Sequence, residues 1–91
     1  DINKFWAQAS RDAKRANKVP ILCMRYNSMP RNEFFFVISA KYCVPFYKLM
    51  GYPYLSINMG DDTGEVLMVF MATKVMANVS CKEFHKYIKS N

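Results

Sequence analysis

The stretch VPILCMRYNSMPRNEFFFVIS, residues 19–39, contains two apolar runs separated by a polar turn. The first run, 19–24, is continuously apolar, as in a strand covered on both faces, and Pro20 near its start is tolerated where no ladder hydrogen bond is needed. The second run, 33–39, has the same character, and the NSMPRN segment between the two runs is rich in turn residues. The stretch therefore predicts a β-hairpin.

The segment after this hairpin predicts a short helix and then a second hairpin. The helix is expected at 46–50, because proline and glycine residues bracket it. Apolar and polar residues alternate over 55–59, as in a half-exposed strand, and GDDTG at 60–64 has the composition of a reverse turn. A buried strand at 66–71 would complete the second hairpin.

A helix is predicted on either side of the two hairpins. At about 100° per residue, one stripe of the first helix is apolar, and it consists of Ile2, Phe5, Trp6, Ala9, Ala13 and Ala16. Near the other end, SCKE at 80–83 has the spacing of a capping box and predicts a short C-terminal helix. We therefore expect one small α+β domain, residues 1–91, with its N-terminal helix packed on a mixed or antiparallel sheet of about four strands.

Composition and cysteine spacing exclude several classes of protein. A hydrophobic content of 52% in 91 residues indicates a folded domain with a single core. Cys23, Cys43 and Cys81 are widely spaced, which favours reduced, buried thiols of a cytoplasmic protein over a zinc site. Neither a signal peptide nor an apolar run of the roughly 18 residues of a membrane span is present, so we expect no membrane partner.

Few residues of the sequence are candidates for catalysis. His85 is the only histidine and has no obvious Ser or Cys partner, which favours a structural role. The carboxylates Asp61, Asp62 and Glu65 lack the spacing of an EF-hand, and the turn composition explains them. The methionines and aromatics are interpreted as core residues, because a base-stacking surface would need exposed aromatics that the sequence cannot place. We therefore assign this chain no catalytic residue, metal ligand or cofactor.

The positive charge is concentrated in the first third of the chain. The net charge is +6 and the isoelectric point is about 9.4. Residues 1–31 carry seven cations against two carboxylates, a net of +5, and residues 32–91 add +1. A basic balance of this kind suggests a polyanionic partner such as DNA. The candidate DNA-binding residues are Lys4, Arg11, Lys14, Arg15, Lys18, Arg25 and Arg31.

The first five of these cations share one arc of the first helix, directly opposite its apolar stripe. A charged face opposite an apolar face is also what an ordinary solvated helix has, and this alternative is equally weighted. The single sign of the arc favours an anion-binding role.

The stretch FWAQASRDAKRANKVPILCMRYN at 5–27 resembles the end of the nuclease core in phage and archaeal Holliday-junction resolvases and related PD-(D/E)XK endonucleases. The core of that family runs helix, acidic strand, Glu-x-Lys strand, helix, strand, and the segment from Ile2 to Met24 would be its last two elements. FFFVIS at 34–39 would be the following strand. The resemblance implies a partial restriction-endonuclease-like core, DNA as partner and a homodimer.

The chain departs from this family at the residues that hold its metal. Such nucleases need an Asp and a Glu for Mg²⁺ and a Lys for the attacking water, whereas this chain has neither Glu-x-Lys nor Pro-Asp. By the family order these residues would lie upstream of Asp1, so we expect the chain to lack an N-terminal segment and to be inactive by itself. Gln8 matches a Gln that often faces the active site in such folds.

A second hypothesis needs no nuclease ancestry. A compact, basic, methionine-rich chain without catalytic residues also suits a small phage-encoded inhibitor or adaptor that binds a host protein. Simple nucleic-acid binding is a third possibility, which differs little from the first for this chain.

Overall fold

A computed structural model of the chain describes residues 1–60 and 63–90, with side chains up to residue 88. The elements are helix α1 (Ile2–Arg15), strands β1 (Leu22–Met24) and β2 (Glu33–Ser39), helix α2 (Tyr47–Met50), strands β3 (Leu55–Asn58) and β4 (Val66–Thr73), and helix α3 (Lys74–Ser90). Two short 3-10 turns, Ala40–Tyr42 and Val44–Phe46, connect β2 to α2. The predicted α+β fold is confirmed.

The four strands form one antiparallel sheet in the order β1-β2-β4-β3. Both predicted hairpins are present, and β2 and β4 pair with each other in the middle of the sheet. In this register Val37 of β2 lies opposite Leu22 on one side and opposite Val69 on the other. Residues paired in this way share a face of the sheet, so the register assigns side chains to the two faces.

One face of the sheet, which we call the α3 face, packs against α2, α3 and the 3-10 turns. Its core contains Phe36, Phe46, Phe70 and Phe84, all at most 5% exposed. The ring centroids of Phe46 lie 5.1 Å from Phe36 and 5.4 Å from Phe84, so the contact joins sheet to helix through stacked aromatics. Among the residues that the structure describes, this core contains nine buried residues and the cluster on the opposite face contains four.

The opposite face, the α1 face, packs against α1 over part of its area. Trp6 is 3% exposed and lies in a cluster with Val37, Leu67 and Val69. Its indole nitrogen donates to a carboxylate oxygen of Glu65, 2.8 Å away. The burial of Trp6 confirms its place in the predicted apolar stripe, and α1 is held at the end of the sheet where β4 begins.

Local hydrogen bonds set the ends of α1. The Asp1 carboxylate accepts from the backbone N–H of Asn3 at 2.8 Å, as an N-cap does. After the helix, Asn17 takes a φ of 56°, a left-handed conformation that asparagine tolerates better than most residues. The chain then leaves the α1 face, and Val19 and Ile21 pack beside the core of the α3 face. The first predicted strand is consequently shorter than expected, because 19–21 pack as an irregular segment.

The C-terminal helix is longer than predicted and begins directly after β4. The hydroxyl of Thr73 accepts from the backbone N–H of Met76 at 3.3 Å and satisfies a donor of the first turn. The prediction of a helix start at Ser80 is wrong, since Ser80 lies buried inside α3.

Two residues of the predicted apolar stripe of α1 do not pack on the sheet as expected: Phe5 is 48% exposed and Ala16 is exposed. The contact of α1 with the sheet is narrower than the stripe.

Candidate nucleic-acid interface

Five cations lie along the outer side of α1 and its C-terminal extension. We call them the basic ridge, and they are Lys4, Arg11, Lys14, Arg15 and Lys18, all exposed. Trp6, on the sheet side of the same helix, is buried. The predicted separation of charge from core is confirmed for the four cations on α1, whereas Lys18 lies beyond the end of the helix at Arg15.

No carboxylate within the described residues forms an ion pair with the basic ridge; the ion pair found there joins Lys86 to Glu83 on α3, at 3.7 Å. Lys14 and Arg15 lie in the last turn of α1, where a positive charge also interacts favourably with the exposed carbonyls of the helix end. A structural role therefore accounts for part of the ridge. It does not account for Lys4 at the other end of the helix.

Arg25 is a structural residue of the first hairpin. Its guanidinium donates to the backbone carbonyls of Pro30 and Glu33 at 2.6 Å each and to that of Met29 at 3.1 Å. Three N–H groups of the guanidinium are thus used to hold the turn between β1 and β2. Arg31 lies exposed in the same turn. DNA contact by Arg25 and Arg31 stays a prediction.

The remaining sequence candidates do not come together as a catalytic centre. Gln8 is exposed on α1, and His85 is exposed on α3. Glu65 is engaged with Trp6, and Asp61 and Asp62 lie outside the described residues. Within 1–60 and 63–90, no three His, Cys, Asp or Glu side chains lie close enough to hold a metal ion. The Mg²⁺ that the resemblance implies therefore finds no matching ligand set in the described part of this chain.

An exposed aromatic surface lies on the part of the α1 face beyond α1. We call it the aromatic shelf, and it consists of Met24, Tyr26, Phe35, Tyr54 and Met71. The Phe35 ring lies 5.8 Å from Tyr26 and 5.5 Å from Tyr54, centroid to centroid. Tyr26 is 56% exposed and Tyr54 61% exposed. The interpretation of all aromatics as core residues is wrong for these two tyrosines.

Part of the aromatic shelf was accessible to sequence reasoning. Met24, Phe35 and Met71 are paired in register, so they share one face of the sheet. Tyr26 follows Met24 by two residues and shares that face if the strand direction continues. The sequence does not show where α1 crosses the sheet. Because α1 packs near Val37 and Leu67, it leaves the row of Met24, Phe35 and Met71 uncovered.

The three cysteines are free thiols with different surroundings. Cys43 is buried, with its sulfur 3.2 Å from the hydroxyl of Tyr47. Cys81 is partly buried and Cys23 is exposed on β1, so the prediction of three buried thiols is wrong for Cys23. Although Cys23 is exposed as a residue, the atoms around its sulfur partly desolvate it; desolvation raises the pKa of both Cys23 and Cys81, and at Cys23 the neighbouring Cys81 raises it further. Raised pKa values make these thiols poorly nucleophilic.

Two further findings concern the whole of the described chain and its relatives. None of the helices in the described ranges combines the length and the apolar character that crossing a membrane requires. No protein-family model matches the chain, and no similar curated protein or solved structure was found.

Proposed function

We propose that this chain is the DNA-binding portion of a metal-dependent, structure-selective endonuclease of the Holliday-junction resolvase type, acting in the cytoplasm. In this proposal it supplies phosphate contacts and scaffold, and the metal ligands come from elsewhere. The observation that carries the proposal is the basic ridge: five exposed cations of one sign, four on the outer side of α1 and Lys18 just after the helix.

The ridge is suited to phosphate contact because of its charge and its accessibility. Its cations have no carboxylate partner among the described residues, so an external anion does not have to displace one. Lysine and arginine contacts to phosphates release condensed counterions and hold a nucleic acid without reading its sequence. The proposed binding is therefore strong at low salt and indifferent to base sequence.

The position of β1 is compatible with the endonuclease part of the proposal. β1 lies at the edge of the sheet and directly follows α1. A strand that preceded α1 in a helix crossover would lie parallel to β1 at this edge. A metal-binding strand of the kind that the resemblance implies would thus have a place beside β1.

The test of DNA binding is a salt titration. We expect log K for duplex DNA to fall with log salt at about −0.9 per phosphate contact between about 50 and 200 mM. The triple variant Arg11→Ala/Arg15→Ala/Lys18→Ala should flatten this slope by about three contacts. Its fold should persist, because all three side chains are exposed.

The matched control removes the same charge from the other side of the molecule. Lys41→Ala/Lys48→Ala/Lys82→Ala deletes three exposed cations from the helical layer on the α3 face, and it should leave the slope nearly unchanged. Equal slopes for the wild type and both variants, or no binding at about 50 mM salt, would contradict DNA binding by the ridge.

The endonuclease part has a separate test in the gene. Codons upstream of Asp1 that specify an acidic strand and a Glu-x-Lys strand would support it. An initiator methionine directly before Asp1 would favour the alternative, a non-enzymatic inhibitor or adaptor that binds a host protein.

One observation favours that alternative. Val75 and Val79 lie one turn apart on α3 and are 72% and 42% exposed, so this helix carries apolar area on its outer side. Exposed apolar side chains in a contiguous patch are typical of protein–protein contacts. Replacement of Val75 and Val79 by glutamate would weaken binding of a host partner and leave DNA binding unaffected.

A further inference from the structure

We propose that the aromatic shelf stacks the bases of single-stranded nucleic acid whose phosphates contact the basic ridge. The inference rests on the proposed function and specifies its ligand: unpaired nucleotides, as at a branch point or a displaced strand, in preference to a continuous duplex.

The first step is the exposure of the rings. Tyr26 and Tyr54 lie on either side of Phe35 and are each more than half exposed. Because the Phe35 ring already contacts both tyrosine rings, a base does not enter between them and lies on their outward surfaces. Unpaired bases offer such ring surfaces, whereas the bases of a duplex are stacked on one another.

The second step is that the shelf extends beyond its three rings. Met24 and Met71 flank Phe35 in the paired strands, and Met71 is 38% exposed. Flexible thioether side chains adapt to flat aromatic surfaces of different shape. A surface of this kind accepts any base, which agrees with binding that does not read sequence.

The third step is charge. Helix α1 lies on the same face of the sheet as the shelf, and the ridge is on the outer side of that helix. The ridge and the shelf therefore face the same side of the molecule. A cationic track beside exposed aromatics is the arrangement by which single strands are bound. An apolar partner surface, such as a second copy of this chain, would bring a second ridge of the same sign close to the first.

One carboxylate tests the electrostatic side of the proposal. In the sheet register Glu33 lies in the row next to Phe35, at the shelf end of β2. Its charge opposes an approaching phosphate, so Glu33→Gln should strengthen single-strand binding. If the shelf bound a basic or neutral protein surface instead, the same change would weaken binding or leave it unaltered.

The main experiment compares two labelled probes of roughly 12 nucleotides, within the usual site sizes: oligo-dT and a duplex of mixed sequence. Wild-type protein should bind oligo-dT more tightly than the duplex at equal salt. Tyr26→Ala and Tyr54→Ala should each weaken oligo-dT binding at least about fivefold and barely change duplex binding. Tyr26→Phe keeps the ring and should retain wild-type affinity.

The matched control is Tyr52→Ala. Tyr52 is 92% exposed but contacts Tyr47 rather than the shelf, so its loss should leave both affinities unchanged. Salt-dependent duplex binding with no preference for oligo-dT and no effect of Tyr26→Ala would overturn this inference and leave the proposed function standing. If the wild-type protein bound neither probe, both this inference and the proposed function would be contradicted.

Two further measurements cover the remaining outcomes. Photocrosslinking to 5-iodouridine oligonucleotides should map to Tyr26, Phe35 or Tyr54 in the wild-type protein, and crosslinks only on α3 would overturn the inference without any variant. Sedimentation of wild type and Tyr26→Ala reveals self-association, and a dimer that the variant abolishes would assign the shelf to a second copy of the chain instead.

Discussion

The indole nitrogen of Trp6 and a carboxylate oxygen of Glu65 are 2.8 Å apart and join α1 to the start of β4. This hydrogen bond is partly buried and joins two residues 59 positions apart in the chain. Because the basic ridge lies on the opposite side of α1, the same contact determines where the ridge points.

Loss of Trp6 should strongly destabilise the protein. Trp6→Ala removes a ring that is almost fully buried and leaves a cavity beside Val37 and Leu67, so we expect the free energy of unfolding to fall by about 3 to 5 kcal/mol. Urea denaturation measures the change. The native fluorescence maximum of Trp6 should be shifted to the blue, and a water-like maximum would contradict the burial.

Glu65 supplies the control for the polar part of this contact. Glu65→Ala leaves the indole N–H without its acceptor and should lower the free energy of unfolding by about 1.5 to 3 kcal/mol. Glu65→Gln keeps an acceptor oxygen and should cost less.

Arg25 should contribute to stability more than to DNA binding. Arg25→Ala removes three hydrogen bonds that hold the first hairpin turn, and at an exposed site we expect a loss of about 1 kcal/mol. Arg31→Ala, in the same turn, should change stability by less than about 0.5 kcal/mol. Thermal or urea unfolding of the two variants makes the comparison, and equal stabilities would show that the turn does not need the guanidinium.

Ser80→Ala should stabilise the protein. The Ser80 hydroxyl is buried on α3 without a hydrogen-bond partner among the described residues, and an unpaired buried hydroxyl costs roughly 1 kcal/mol or more. We expect a gain of about 1 kcal/mol in urea denaturation. Ser39→Ala is the control: the Ser39 hydroxyl is also buried but accepts from the N–H of Lys41, so its loss should destabilise.

The thiols of Cys23 and Cys81 should make stability depend on alkaline pH. Both have a pKa raised above the ordinary 9.0, so the folded state holds these protons more firmly than the unfolded chain does. This contribution is complete below pH 9.0 and is lost as the pH rises through the folded-state values. The unfolding free energy should fall more steeply above this pH in wild type than in Cys23→Ala/Cys81→Ala. Parallel pH profiles would exclude a role for the thiols.

The chain alone should cleave neither branched nor duplex DNA with Mg²⁺ or Mn²⁺. The carboxylates described in the structure are dispersed over both layers, and none forms a ligand cluster with its neighbours. Gel assays with purified protein measure this outcome, and cleavage that EDTA abolishes would overturn it.

Much of the fold was predictable because its strands carry strong local signals. The bounds of β2 agree with the prediction, since a run of aromatic and β-branched residues is flanked by turn residues there. The junction of β4 and α3 was missed because no turn residue separates them: Thr73 ends the strand and caps the helix. A capping box at Ser80 was then the strongest remaining signal, although its hydroxyl is buried.

The candidate site also has a part that the sequence predicts and a part that it does not. The basic ridge could be predicted because the periodicity of one helix places its cations on one side. The exposure of Tyr26 and Tyr54 could not, because it depends on where α1 crosses the sheet, a tertiary contact set by Trp6. The hydrogen bonds of Arg25 likewise depend on a turn geometry that composition does not specify.

The lengths of the strands also bear on aggregation. The inner strands β2 and β4 have seven and eight residues and carry the apolar sequences EFFFVIS and VLMVFMAT, which have the high β-propensity and low charge of cross-β segments. The edge strands β1 and β3, which cover them, have three and four residues. Short edges offer little template to a second molecule. Fraying of β1 would uncover the edge of β2, so the first hairpin turn protects the molecule from fibril formation as well as holding its shape.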